Sequence, residues 1–533
     1  MACRSIVSIV SNMQTQKLDS IEKQSNPARI CTYKPNTWKY DHLLSLTTPY
    51  SEVSCKFADS VSPVAKLELI DRIDKLGLSG YFEVETKEAL ENTIMYMKSC
   101  SSSKEDEDLY ATALCFRLLR EHGYHASQDM LMDLFNGKRK LPSDRKTLLE
   151  LLEGSLLGMD GENLLNDIRL FITKNLKNLS ASSDIGRFTT NPLAWRVKWY
   201  DVRRHIIAQN CNKTNLMLLK LAKLNFNIIQ ATHQQDLKDV IRWWKNLCIV
   251  GDLDFTRDRI VESFFYAVGI ASEPQHGSMR IWLTKVIQFI LIIDDVYDIY
   301  GSLADVQQFT HAIEKWDPKE VQRLPECIQI CFRALHDTVE EMSAEIQRKN
   351  GGPSALPHLK QAWVNFCKAL LVEATWYHKS HIPTIEEYLD NGWTSSSGPL
   401  LSCHVIFGLS NYKTTNETLD LCNSCQEIIY HTSVIIRLCN DQGTSTAELE
   451  RGDVASSIIC YMQEENISED VAREHIESII LNSWKKINYL FNTLSRSHRK
   501  IIKHVINEAR MAHVMYHSGD GFGVQGGETR DQC

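Results

Sequence analysis

Apolar residues recur at helical spacing along most of this chain, as in Asp108 to Glu121 and Leu216 to Leu247, and strand-like alternation bounded by turn residues is scarce. The pattern predicts an all-α protein. Breakers such as Gly137-Lys138-Arg139-Lys140-Leu141-Pro142 and the run from Ser180 to Asn191 cut the first half into shorter helices. A boundary is expected where that second run gives way, through Trp195 to Asn212, to the strongly periodic stretch beginning at Leu216.

The most informative stretch is the apolar run from Val286 to Ile293 that ends in Asp294-Asp295-Val296-Tyr297-Asp298. No Gly or Pro interrupts Trp282 to Ile293, so it reads as a buried helix with Asp294 and Asp298 on one face and Asp295 at its edge. Carboxylates one turn apart at the end of an apolar helix repel each other and resist desolvation unless a cation neutralises them. Hard oxygen donors of this kind suit Mg²⁺ or Mn²⁺. An N-cap or a solvated acidic turn accounts for the spacing equally well, and a second ligand set decides between the readings.

Asn440, Thr444 and Glu448 supply one, an amide, a hydroxyl and a carboxylate recurring every four residues, with Arg437 one turn before them. Upstream, Arg257-Asp258-Arg259 precedes another apolar helix, and guanidinium forks match phosphate oxygens.

Composition narrows the classes. A chain of 533 residues supports two or more domains and a large core. Its net charge of −8, without a long basic block, gives nucleic acid no electrostatic footprint. No apolar run approaches the roughly 20 residues a bilayer span needs. The 16 cysteines lack regular spacing and read as reduced thiols; Cys422-Asn423-Ser424-Cys425 has no second pair to complete a zinc site. Met1 to Lys17 carries Arg4, several serines and no acid, like a short plastid transit peptide or a disordered tail.

Together these stretches resemble the class I terpene synthases of plants. Asp294, Asp295 and Asp298 match the family's DDxxD, Asn440, Asp441, Thr444 and Glu448 its second metal motif, and Arg257 and Arg259 its RxR. The likeness extends to Asp108 to Leu114, Phe116 to Arg120 and His122-Gly123-Tyr124 in the first half. It implies two α-helical domains: a vestigial amino-terminal α-barrel over 29–215, after a tail of 1–28, and a catalytic bundle over 216–533. Glu105-Asp106-Glu107-Asp108 lacks the DxDD acid of bifunctional relatives, so the expected reaction begins by ionisation, not by protonating an alkene.

By the same resemblance, Asp294, Asp298, Asn440, Thr444 and Glu448 bind three Mg²⁺, with Mn²⁺ as substitute. Arg257 and Arg437, with Asp294, Asp298 and Asn440, address the diphosphate of an allylic prenyl diphosphate, and Arg259 is a further candidate. Asp295 and Asp441 orient ligands or pair with arginine. Gly398-Pro399 breaks a helix whose freed carbonyls line the pocket. Tyr516 and Asp520 belong to a glycine-bearing terminal segment that covers it. Tyr266, Phe289, Trp376, Tyr377 and Tyr516 are candidate aromatic faces for a carbocation.

Three departures from the family bear on product. Its RRx8W motif is reduced to Ala28-Arg29 and Trp38, its pocket Trp is Tyr266, and its Pro-Lys pair is Ala455-Ser456. A looser hold on diphosphate favours an acyclic or simple product. Geranyl diphosphate is the preferred substrate, in a monomeric plastid enzyme, with farnesyl diphosphate in the cytoplasm as the alternative. A non-catalytic diphosphate-binding helical protein is the reading from another class.

Overall fold

A computed structural model describes residues 62–523 except 100–108, 135–143, 180–191, 210–215, 248–255, 352–353, 410–414 and 452–454; the side chains of some helix-end residues, Glu448 among them, also lie outside it. The first 61 residues, with Ala28, Arg29 and Trp38, and the acidic run 105–108 are likewise outside the described residues.

The described residues contain helices and no strand, as the periodicity predicted. The first six are α1 (Pro63–Lys75), α2 (Glu83–Ser99), α3 (Leu109–Glu121), α4 (Arg145–Ser155), α5 (Asn163–Leu179) and α6 (Lys198–Gln209). Then come α7 (Leu216–Asn246), α8 (Ile260–Ile270), α9 (Gly277–Asp295), α10 (Leu303–Lys315), α11 (Glu326–Asn350), α12 (Leu356–Lys379) and α13 (Ile385–Ser395). The last six are α14 (Gly398–Leu409), α15 (Thr415–Ser424), α16 (Gln426–Arg451), α17 (Ser457–Glu465), α18 (Glu469–Thr493) and α19 (Arg496–Tyr516).

Among the short helices, Leu114, Phe116, Leu118 and Leu151 pack in the core while Arg117 enters it from α3. That guanidinium reaches Asp71 at 2.5 Å, Glu150 at 2.7 Å and Glu121 at 3.0 Å, so its buried charge is met on three sides. These helices dock on the later ones through polar pairs: Tyr81 Oη donates to Asn225 Oδ1 at 2.9 Å and Arg499 Nη1 to the Gly123 carbonyl at 3.0 Å. Trp195 stacks on His513, ring centroids 5.1 Å apart.

α9 is buried almost throughout, its apolar side chains joined by the buried polar residues Arg280, Thr284, Lys285 and Gln288, which makes it a core helix. α10 and α13 begin with capping boxes, Ser302 with Asp305 and Thr384 with Glu387. Between α13 and α14 the chain breaks at Ser397, which holds φ of 66°. Pro399 has no N–H to give the Ser395 carbonyl four residues earlier, so helical hydrogen bonding cannot run through this point.

Candidate active site

α9 delivers its acids with one difference from the expected geometry. The α-helix ends at Asp295, and Val296–Tyr300 form a π-helical turn closed by the Gly301 N–H on the Val296 carbonyl, 2.8 Å. A π-turn carries more residues per turn than an α-turn, so the four-residue spacing of Asp294 and Asp298 no longer superposes them on one α-helical face. Asp294 is half-buried, Asp298 exposed and Asp295 only 1 % exposed.

Arg257 organises the first two acids. Its Nη2 lies 2.7 Å from Asp294 Oδ2, its Nε 2.9 Å from Asp295 Oδ1, and its own N–H donates to Asp295 Oδ2 at 2.8 Å. The Arg257 carbonyl is held in turn by Gln288 Nε2, also from α9, at 2.9 Å. Burial works against the guanidinium charge, but Asp294 and then Asp295 outweigh it and hold the group above the ordinary arginine range. Burial pushes the Asp295 carboxyl up, against the pull of Arg257.

Arg259 does something else. Its Nε donates to the Phe522 carbonyl at 3.0 Å and its Nη2 to the Gly523 carbonyl at 2.6 Å, so the second arginine of the pair pins the terminal segment. Phe522 is buried, with its ring 6.0 Å from Tyr266 and 6.4 Å from Tyr516. Asp520 Oδ1 accepts the Phe522 N–H at 2.9 Å, which shapes this turn.

On α16, Arg437 is the buried counterpart. Its Nη2 reaches Ser395 Oγ at 2.7 Å and Glu373 Oε1 at 3.2 Å, and its Nε the Gly392 carbonyl at 3.4 Å; Asp441 lies 3.9 Å from Nη1. Burial disfavours its charge, yet Glu373 first, then Tyr388, Asp441 and Asp294 keep its pKa well above the ordinary value. Asp441 accepts from Tyr388 Oη at 2.9 Å and from the Ser457 N–H at 3.0 Å, which commits both its oxygens to structure. Thr444 Oγ1 donates to the Asn440 carbonyl at 2.9 Å, leaving its lone pairs for a cation. The Asn440 amide shares a hydrogen bond with Tyr516, whose hydroxyl is pushed up by burial and then by Asp520.

The structure therefore brings Asp294, Arg257, Arg437, Asn440 and Tyr516 into one electrostatic neighbourhood. Glu448 shares α16 with Asn440, and its side chain lies outside the described residues. The acids, amide and hydroxyl are hard oxygen donors, and a divalent ion suits them. Two of the proposed aromatic faces are corrected: Tyr377 is 53 % exposed, and Phe289 packs edge-on against Trp243 in the core. Tyr266 is buried, its hydroxyl donating to the Glu508 carbonyl at 2.9 Å. Sequence reasoning missed Gln288, Glu373, Tyr388 and Ser395, because each finds its arginine or acid across a long stretch of chain. Ser456 is buried and its Oγ accepts the Ile459 N–H, so the residue in the family's lysine position starts α17.

Residues 245–486 match the model for the terpene synthase family, metal binding domain, and residues 13–198 that for the terpene synthase N-terminal domain. The chain belongs to the terpene synthase family, with its class I α-helical fold, and is a metal-binding carbon–oxygen lyase acting on prenyl diphosphates. It is 44 % identical to the α-farnesene synthase of Ricinus communis, over 94 % of this chain and 93 % of that protein. The (E,E)-α-farnesene synthase of Malus domestica is also 44 % identical, over 94 % and 92 %, and the chloroplastic myrcene synthase of Quercus ilex 38 %, over 99 % and 91 %. Among solved structures it resembles limonene synthase with 2-fluorolinalyl diphosphate, with a TM-score of 0.84, 35 % identity and coverage of 94 % and 97 %. It also resembles isoprene synthase from grey poplar with three Mg²⁺ ions and dimethylallyl-S-thiolodiphosphate, with a TM-score of 0.83, 34 % identity and coverage of 93 % and 98 %.

Proposed function

We propose that this enzyme ionises farnesyl diphosphate and releases an acyclic sesquiterpene of the farnesene kind. The observation that carries the reading is the 44 % identity to two farnesene synthases over nearly the whole chain, above the 38 % to a myrcene synthase. It favours the alternative substrate over the geranyl diphosphate that the sequence reading preferred. It keeps the acyclic outcome, because farnesene is an open-chain C15 hydrocarbon.

Mg²⁺, three ions as in the isoprene synthase structure, would be held by Asp294, Asp298, Asn440, Thr444 and Glu448 and would neutralise the leaving diphosphate. The chain's own residues supply the rest. Arg257 and Arg437 place permanent positive charge beside Asp294, where a departing diphosphate is retained. Asp295 and Asp441 fix those arginines and the start of α17 and take no part in metal binding. Phe522, Tyr266 and Tyr516 close an aromatic plug that keeps water from the cation, and Arg259 keeps it shut. The catalytic bundle, 216–533, begins with α7, after α1 to α6 of the amino-terminal domain, 29–215. We place the protein, as a monomer, in the cytoplasm, since the plastid reading goes with geranyl diphosphate.

The test is purified protein with Mg²⁺ given farnesyl and geranyl diphosphate separately, the hydrocarbon overlay analysed by gas chromatography and mass spectrometry beside an Asp294→Ala control. Acyclic C15 olefin from farnesyl diphosphate, absent from the control, supports the reading. A better kcat/KM with geranyl diphosphate, or mainly cyclic products, overturns it, and no turnover of either substrate returns the non-catalytic alternative.

A further inference from the structure

Far from the aspartates, at the opposite end of α9, three ligand-bearing side chains converge. Glu273 and His276 bracket a single 3₁₀ turn, Pro274–His276, that leads into α9, and His504 faces them from α19. One ligand atom from each lies within 4.8 Å of the other two. Glu273 is the extended residue that precedes the turn and His276 is its last, and the turn folds carboxylate and imidazole back towards each other. His276 and His504 meet edge to face with ring centroids 5.1 Å apart.

We propose that Glu273, His276 and His504 form a second metal site, of the two-imidazole and one-carboxylate type that takes Zn²⁺, joining the turn that leads into the aspartate helix to the helix that ends at Tyr516. Eighteen residues of helix separate His276 from Asp294, about 27 Å at 1.5 Å per residue, so the site is distinct from the catalytic one. His504 is oriented as metal-binding imidazoles are: its Nδ1–H donates to the Ile270 carbonyl at 2.8 Å, which leaves the lone pair on Nε2. Two imidazoles and one carboxylate leave a fourth tetrahedral position for water.

Two cations stand nearby. Arg280 is spent on Asp236 at 2.6 Å and on the Glu273 main-chain carbonyl. Lys503 binds Glu273 Oε1 at 2.6 Å from the solvent side and competes with a metal for the carboxylate.

The experiment titrates the intact protein with Co²⁺ and then Zn²⁺, in saturating Mg²⁺ and inorganic diphosphate so that the aspartate site is filled. The expected result is one equivalent of Co²⁺ with d–d bands and no thiolate charge-transfer band, displaced by Zn²⁺, and a melting temperature that climbs with free Zn²⁺. His276→Gln, at a half-buried position, should fold, keep the basal Mg²⁺-dependent rate within about twofold, and lose at least tenfold in Zn²⁺ affinity. Lys503→Gln should bind Zn²⁺ more tightly, a change a purely structural ion pair does not predict. No such equivalent, a thiolate spectrum, or affinity unchanged in both variants overturns the proposal.

Discussion

The Arg259 guanidinium donates to the Phe522 carbonyl, 3.0 Å away and 263 residues later in the chain. With the Gly523 carbonyl as a second acceptor, it is the clasp of the terminal segment. Arg259→Ala should lower kcat/KM by about tenfold to a hundredfold, the worth of one or two charge-assisted hydrogen bonds, and raise the share of alcohol over olefin as water reaches the cation. Product profiles by mass spectrometry check this; an unchanged alcohol fraction refutes the clasp.

Asp295 and Asp298 belong to one motif and should fail differently. Asp295 is buried on Arg257, so Asp295→Asn should lower kcat by about tenfold or more with the Mg²⁺ requirement nearly unchanged. Asp298 is exposed at the motif's end, and Asp298→Asn should raise the Mg²⁺ concentration for half-maximal rate by about tenfold or more. Rate against Mg²⁺ concentration separates the two, and equal Mg²⁺ curves would sink the distinction.

Stability should fall in acid through buried histidines. Burial lowers His404 from 6.5 to about 4. Because the folded pKa is depressed, the unfolded chain binds more protons between those values, and stability present above about 6.5 is lost as pH falls through 4. Between pH 7 and pH 5 that linkage costs about 2 kcal/mol for His404 alone. Urea unfolding at the two pH values should show the loss, and His404→Gln should flatten it.

Ser397 holds a left-handed backbone at the helix break. A side chain there costs roughly 1–2 kcal/mol that glycine avoids, less the entropy glycine loses on folding, so Ser397→Gly should stabilise by about 0.5–1 kcal/mol. A lower urea midpoint in the variant would show that the serine is held by more than its backbone.

Much of this was legible in residue order. The buried run into Asp294, the stripe of Asn440 and Thr444, and the break at Gly398-Pro399 are local patterns, and local spacing encodes them. The π-turn was not legible, because five residues after Asp295 read equally well as a further α-turn until Gly301 closes on Val296. Nor were the partners of the arginines. Arg437 meets Glu373 across 64 residues and Arg259 meets Phe522 across 263, and nothing in either neighbourhood names the other. Ser456 reads as a lost phosphate contact until its Oγ is seen starting a helix.

The turn at Val296–Tyr300 holds one residue more than an α-helical turn would. Its length can change without any change to the aspartates themselves. Deleting Ile299, which is exposed, would restore α-helical register after Asp295 and shift how Asp298 is displayed without altering an acid. A lineage could retune its metal centre by a single codon's loss, leaving the motif's letters through Asp298 intact.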